Sequence, residues 1–170
     1  SDWSSDVCSS DLMFREMRRK KQELSYEECI SVLNKCTSGV LAVEGDDGYP
    51  YTVPLSYSLK GDELYFHCAK IGHKLDSIKR NNKVSFCVID KDEIIPEKFT
   101  THYRSVIVFG KAKIVEYEKE CKDILMTLVE KYSKGFEKEG ALEIEKALKA
   151  TSLVKIKIEH VTGKVAKELI

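Results

Sequence analysis

The spacing of apolar residues changes several times along the chain. After Ser25-Tyr26-Glu27-Glu28, a capping box, Cys29, Ile30, Val32 and Leu33 recur at helical intervals and predict a helix ending near Cys36. The period then shortens to that of strands. Ser38 to Glu44 reads as a mostly buried strand, and Gly45-Asp46-Asp47-Gly48 as a hairpin turn. Tyr49 to Leu59 reads as a second strand, which Pro50 and Pro54 confine to a sheet edge because proline donates no ladder hydrogen bond. Lys60-Gly61-Asp62 turns into a third strand, Glu63 to Cys68. A glycine-led short helix spans Lys70 to Asn81 with Leu75 and Ile78 inward. Further strands are predicted for Lys83 to Asp90, Tyr103 to Glu116 and Leu153 to Thr162, with a loop from Lys91 to Thr101. Glu118 to Tyr132 is the strongest amphipathic helix, and a looser one runs from Gly140 to Lys149.

Six short, mostly hairpin-linked strands with helices between them predict an α+β, mainly β fold, a small antiparallel barrel with peripheral helices. There is no strand–helix alternation and no G-x-G-x-x-G, which excludes a dinucleotide-binding Rossmann fold. The absence of any apolar run near 20 residues argues against a membrane span.

The first twelve residues, Ser1 to Leu12, lack periodicity and resemble the translation of a sequencing adapter joined in frame. They are read as a non-native tail, with residues 13–170 as one domain beginning at Met13. The chain has 28 basic and 28 acidic side chains, and setting aside Asp2, Asp6 and Asp11 leaves 28 against 25, a net of +3. That excess is too small and too scattered to predict a nucleic-acid partner. Met13 to Lys21 is a basic leader, either an anion contact or a solvated arm. Apart from Cys8 there are five cysteines, with no C-x-x-C spacing. They predict reduced thiols, a cytoplasmic location and no metal site.

The candidate chemistry lies in His67-Cys68-Ala69-Lys70-Ile71-Gly72-His73-Lys74, where a strand passes into a helix. Free backbone N–H groups, the positive end of a helix dipole and a lysine together suit a phosphate. A solvated surface turn is the other reading of such a segment.

Four segments resemble the nitroimidazole-resistance branch of the pyridoxamine 5'-phosphate oxidase-like flavoproteins. They are Tyr51-Thr52-Val53-Pro54-Leu55-Ser56-Tyr57; Leu64 to Lys74; Tyr103-Arg104-Ser105-Val106-Ile107-Val108-Phe109-Gly110-Lys111-Ala112; and Ile158 to Lys164. The resemblance implies a six-stranded split β-barrel, a homodimer, and FMN (or FAD) in clefts between subunits. Val53, Pro54, Leu55 and Ser56 would line the isoalloxazine through main-chain groups. His67, Cys68 and Ala69, with His73 and Lys74, would hold the ribityl phosphate. Tyr103, Arg104 and Ser105 would reach the flavin from a later strand, the alternative for Arg104 being an ion pair. His67 would also be catalytic; otherwise it is a hydrogen-bonded core residue. His102 and His160 are expected to be structural or exposed. The phosphate oxidases proper carry a C-terminal Arg-x-His and a tryptophan near it; the chain ends Gly163 to Ile170 without either, which argues against pyridoxamine-phosphate oxidation.

The function this implies is an FMN-dependent oxidoreductase passing electrons to small aromatic or nitro acceptors, with a nicotinamide donor docking transiently. The alternative is a non-catalytic barrel that stores or senses flavin or haem, for which His67 or His160 would be the axial ligand.

Overall fold

The computed structural model describes residues 14–170; the adapter-like tail and Met13 lie outside the described residues. Seven strands form one antiparallel sheet: β1 (Ser38–Glu44), β2 (Pro50–Ser56), β3 (Ser58–Lys60), β4 (Glu63–Ala69), β5 (Lys83–Ile95), β6 (Thr100–Val115) and β7 (Thr151–Val165). Four helices accompany them: α1 (Tyr26–Lys35), α2 (His73–Arg80), α3 (Glu118–Tyr132) and α4 (Glu137–Ala147). The fold is α+β, mainly β, with helices at the periphery of the sheet.

The strand order is β2-β1-β5-β6-β7-β4-β3. The two edge strands, β2 and β3, are therefore consecutive in the chain and separated by Tyr57 alone. Two residues span only about 7 Å, so the sheet must curl until its edges meet at Tyr57. This corrects the expected six-stranded barrel. The segment Tyr49 to Leu59 is two strands, and the ladder is left open between β2 and β3. The split follows from where Tyr57 points. Its ring is 1% exposed in the core and its hydroxyl donates to Leu33 O at 2.6 Å, which draws the chain inward between its two ladders.

The inner face holds the main core, with Leu33, Leu41, Phe66, Phe86, Val88 and Val106 among its most buried members. Helix α1 closes one side, started by the predicted capping box: Glu28 N–H donates to Ser25 Oγ at 3.2 Å and Ser25 N–H to the Glu28 carboxylate at 3.4 Å. It lies close on β7 because Gly163 is there; a Cβ at that position would sit 2.8 Å from Cys29 Sγ. Helices α3 and α4 cover the outer face of the strand ends, where Ile124, Leu128 and Ile144 pack on Tyr65, Val115 and Leu153.

The predicted loop Lys91 to Thr101 is instead the end of a β5–β6 ribbon, paired as far as Ile95↔Thr100 around a turn over Pro96–Lys98. Alternation did not mark it because no described residue covers its apolar side chains: Ile94 is 71% and Phe99 97% exposed.

The corner at Tyr57 predicts a graded mutational response. Tyr57→Phe loses one buried hydrogen bond and should cost about 1 kcal/mol, whereas Tyr57→Ala also leaves a cavity and should cost about 3–5 kcal/mol. Urea unfolding checks this; equal effects would show that the hydroxyl, not the buried ring, dominates.

Candidate functional site

Strands β3 and β4 pair as Ser58↔Tyr65, Leu59↔Leu64 and Lys60↔Glu63. Continued past Tyr57, that register would set Ser56 against His67 and Pro54 against Ala69. Instead β2 turns away to pair with β1, as Pro54↔Val40 and Ser56↔Ser38, while β4 keeps β7 on its other side, as His67↔Leu153 and Ala69↔Thr151. Two unpaired strand edges thus face one another across a seam that starts at Tyr57. The walls are Val53 to Ser56 and His67 to Ala69, the two segments assigned to the flavin on sequence.

Within the walls, side chains alternate. Val53 and Leu55 pack on the core while Pro54 and Ser56 are exposed, which leaves main-chain groups along the seam edge. Cys68 packs inward, and burial pushes its thiol pKa up against a smaller opposing pull from Lys74. His67 points to the opposite face, the side of Tyr65, and is exposed rather than a core residue.

The chain leaves β4 through Lys70 and Ile71 and starts α2 at Gly72 without a side-chain cap. The first intrahelical donor is Asp76 N–H, to Gly72 O at 3.1 Å, so the His73, Lys74 and Leu75 amides open the helix unpaired within it. A Cβ on Gly72 would meet no atom within 4 Å, so the approach is open. The His73 ring stacks on Tyr51 of β2, centroids 4.0 Å apart, tying the helix start to the other wall. His73 Nε2 is buried without a hydrogen-bond partner, as is Ser77 Oγ one turn later. Asp46 is 3.7 Å from that nitrogen, too far for a hydrogen bond.

The sequence profile of the Pyridoxamine 5'-phosphate oxidase family matches residues 25–165. The chain belongs to that family. Its fold is shared with a Bacteroides thetaiotaomicron protein assigned to 5-nitroimidazole antibiotic resistance: 20% identity, TM-score 0.70, covering 85% of this chain and 87% of that one. A conserved hypothetical protein from Mycobacterium tuberculosis matches at 21% identity and TM-score 0.73 over 91% and 92% of the two chains. An FAD-binding protein from Mesorhizobium loti matches at 28% identity and TM-score 0.63 over 86% and 98%. No curated protein is significantly similar.

In this member of the phosphate-oxidase family the third predicted group, Tyr103, Arg104 and Ser105, lies apart from the seam. Strand β6 is three places from β2 and two from β4, roughly 14 and 10 Å at the usual strand spacing. Nor do the three point the same way. Tyr103 lies under the N-terminal arm, its hydroxyl accepting from Gln22 Nε2 at 3.2 Å. Arg104 shares the face of buried Val106 and Val108, and its guanidinium donates to Asp90 at 3.0 Å.

Asp90 was not singled out on sequence. It is the extra residue of a bulge between Ile89↔Ser105 and Lys91↔Arg104, which turns its carboxylate inward to 6% exposure. Lys35 Nζ lies 2.8 Å away, and Cys36 Sγ donates to it at 3.5 Å. Burial opposes its ionisation, but the hydrogen bonds from Lys35, Arg104 and Cys36 outweigh it and hold its pKa below the ordinary 3.8. An acidic residue closing an apolar strand was the only signal for it.

The described part of the basic leader, residues 14–21, forms an N-terminal arm. Arg15, Arg18, Arg19, Lys20 and Lys21 are exposed, while Phe14 stacks on His160 at 4.7 Å. Between this arm and the outer face of β1, β5 and β6 lies a cleft of about 820 Å³ floored by Ala42, Ile107 and Phe109, away from the seam.

Because the Asp90 pKa is lowered on folding, its contribution is complete above about 3.8 and is lost as pH falls through the lower folded value. Asp90→Asn should therefore cost about 1.5–3 kcal/mol at neutral pH, and the difference from wild type should shrink below pH 3.8. Urea unfolding at both pH values measures this; a constant difference would place the charge elsewhere.

Proposed function

We propose that the seam binds the flavin of an FMN-dependent oxidoreductase that passes electrons to small aromatic or nitro acceptors. The observation that carries the reading is the start of α2. Three helix-opening amides lie beside His73 and Lys74, with open space at Gly72 and the His73 Nε2 without a hydrogen-bond partner. Such a group of donors suits the dianionic phosphate of FMN, or the flavin-side phosphate of FAD. Val53 to Ser56 and His67 to Ala69 would hold the ring system along the two strand edges. When bound, a flavin supplies the one- and two-electron redox chemistry.

The protein's part is to bind, orient and exchange protons. His67 is exposed beside the seam, and no described residue hydrogen-bonds its imidazole. It is therefore available to give a proton to a reduced acceptor. A nicotinamide donor would dock from solvent.

The reading includes a second copy of the chain. Tyr103 to Ser105 stand three strands from the β2 wall and two from the β4 wall, which suits contact with a flavin held by another subunit. Val40, Ile89, Ile107 and Phe109 leave apolar surface on the outer face of β1, β5 and β6, partly under Phe14 of the arm, which suits a two-fold interface. The described cysteines, Cys29, Cys36, Cys68, Cys87 and Cys121, are all free, which suits a cytoplasmic protein.

Two variants test the site. Lys74→Ala removes a charge-assisted contact and should weaken FMN binding about ten- to a hundredfold; unchanged affinity in a fluorescence titration rejects the phosphate assignment. His67→Gln keeps the shape and a hydrogen-bonding group, so flavin binding should survive while nitroaromatic reduction per bound flavin falls roughly 10²-fold. Normal turnover per flavin would remove His67 from the chemistry.

A further inference from the structure

The backbone at Tyr57 belongs to neither ladder. Before it the chain pairs with β1, after it with β4, and its own N–H and C=O have no strand neighbour. Buried backbone groups are rarely left unpaired, and here one side chain serves both. Tyr57 N–H donates to the Tyr132 hydroxyl at 2.9 Å, and that hydroxyl stands 2.6 Å from Tyr57 O and 2.5 Å from Thr37 O. Having one proton, it donates to one of these carbonyls at a time. Tyr132 thus takes the place of a missing strand at the point where β2 and β3 diverge.

The residue is the last of α3 and is carried on a firm support. Ile124, Leu125 and Leu128 bury the helix against the outer face. Thr127 Oγ1 meets Ser58 Oγ at 2.7 Å, a second tie to the same corner, and Glu120 pairs with Lys155 of β7 at 2.6 Å. Ser56, on the seam wall, immediately precedes Tyr57 in the chain. Without that hydroxyl the Tyr57 amide and carbonyl must find water or another partner.

We propose that Tyr132 is a positioning residue of the cofactor seam, its hydroxyl holding β2 and β4 apart at the closed end so that Ser56 and His67 keep their separation. This rests on the reading of the seam as the flavin site. Neither α3 nor Tyr132 belongs to the segments that carry the family resemblance, and the assignment comes from the hydrogen bonds and the strand register alone.

The test compares Tyr132→Phe with Leu125→Val, a mild core truncation in the same helix that leaves the corner untouched, using the full chain titrated with FMN. Tyr132→Phe should weaken FMN binding roughly three- to tenfold, the effect of one hydrogen bond, and alter the visible absorption of the bound flavin. Leu125→Val should lower the melting temperature yet bind within about twofold of wild type with an unchanged spectrum. Wild-type affinity and spectrum in Tyr132→Phe would overturn the proposal, and so would losses in both variants that merely follow their melting temperatures. If Tyr132→Phe does not fold, Thr127→Val cuts the second tie and is held to the same outcomes. A wild-type chain that binds no FMN rejects the flavin reading and this inference with it, whereas failure of the Tyr132 comparison alone leaves that reading standing.

Discussion

A single residue joins the two edges of the sheet, and most of the architecture follows from that constraint. With Tyr57 alone between β2 and β3, a seven-stranded sheet cannot lie flat. It has to curl until its first and last strands meet, and the curl creates the enclosed core in which Leu41, Val88, Val106 and Val108 are fully buried. Because β2 pairs with β1 and β3 with β4, the meeting is a fork rather than a ladder, and the fork is the seam. The same corner is gripped from two sides. Helix α1 accepts the Tyr57 hydroxyl at Leu33 O, and α3 caps its backbone through Tyr132. Lys131 lies 4.0 Å above the Tyr57 ring, a cation–π contact in a site buried enough to lower the lysine pKa.

Charge reinforces the corner. The last turn of α1 carries Lys35, and Cys36 follows it; both bind Asp90, which also receives Arg104 from β6. One inward carboxylate thereby joins a helix end and two strands at a bulge in the sheet. At the other end of the seam α2 does a different task. Its inward Leu75 and Ile78 close the core, while its first turn is left uncapped and faces the strand edges. A helix that needed stability alone would gain from a capping residue at Gly72; leaving the position open keeps the amides available to a ligand.

Much of this was legible in the sequence, for physical reasons. The capping box at Ser25 and the apolar stripe of α3 are local signals, and both elements stand where their patterns put them. Pro50 and Pro54 marked β2 as an edge because proline's missing donor is a local property. The division of Tyr49 to Leu59 was not legible, since both halves alternate like one strand and the change of partner depends on contacts with Leu33 and Tyr132, 24 and 75 residues away. The outer β5–β6 ribbon was hidden because an uncovered ribbon has no buried face to impose alternation. For the site, Val53 to Ser56 and His67 to Ala69 fall on the two edges of the seam, and the helix start follows β4. Grouping Tyr103, Arg104 and Ser105 with them within one chain was not possible to check from sequence, and strand alternation separates Arg104 from the other two. The Asp90 knot stayed invisible because a bulge, rather than a motif, turns that carboxylate inward.

On the reading we propose, two copies of this chain together hold two flavins, one at each seam. Native mass spectrometry of the purified, flavin-loaded protein tests it in one measurement. The prediction is a dimer carrying two flavins, with loss of flavin accompanying dissociation into monomers. A monomer that retains one tightly bound flavin, or a dimer that takes up none, would contradict it.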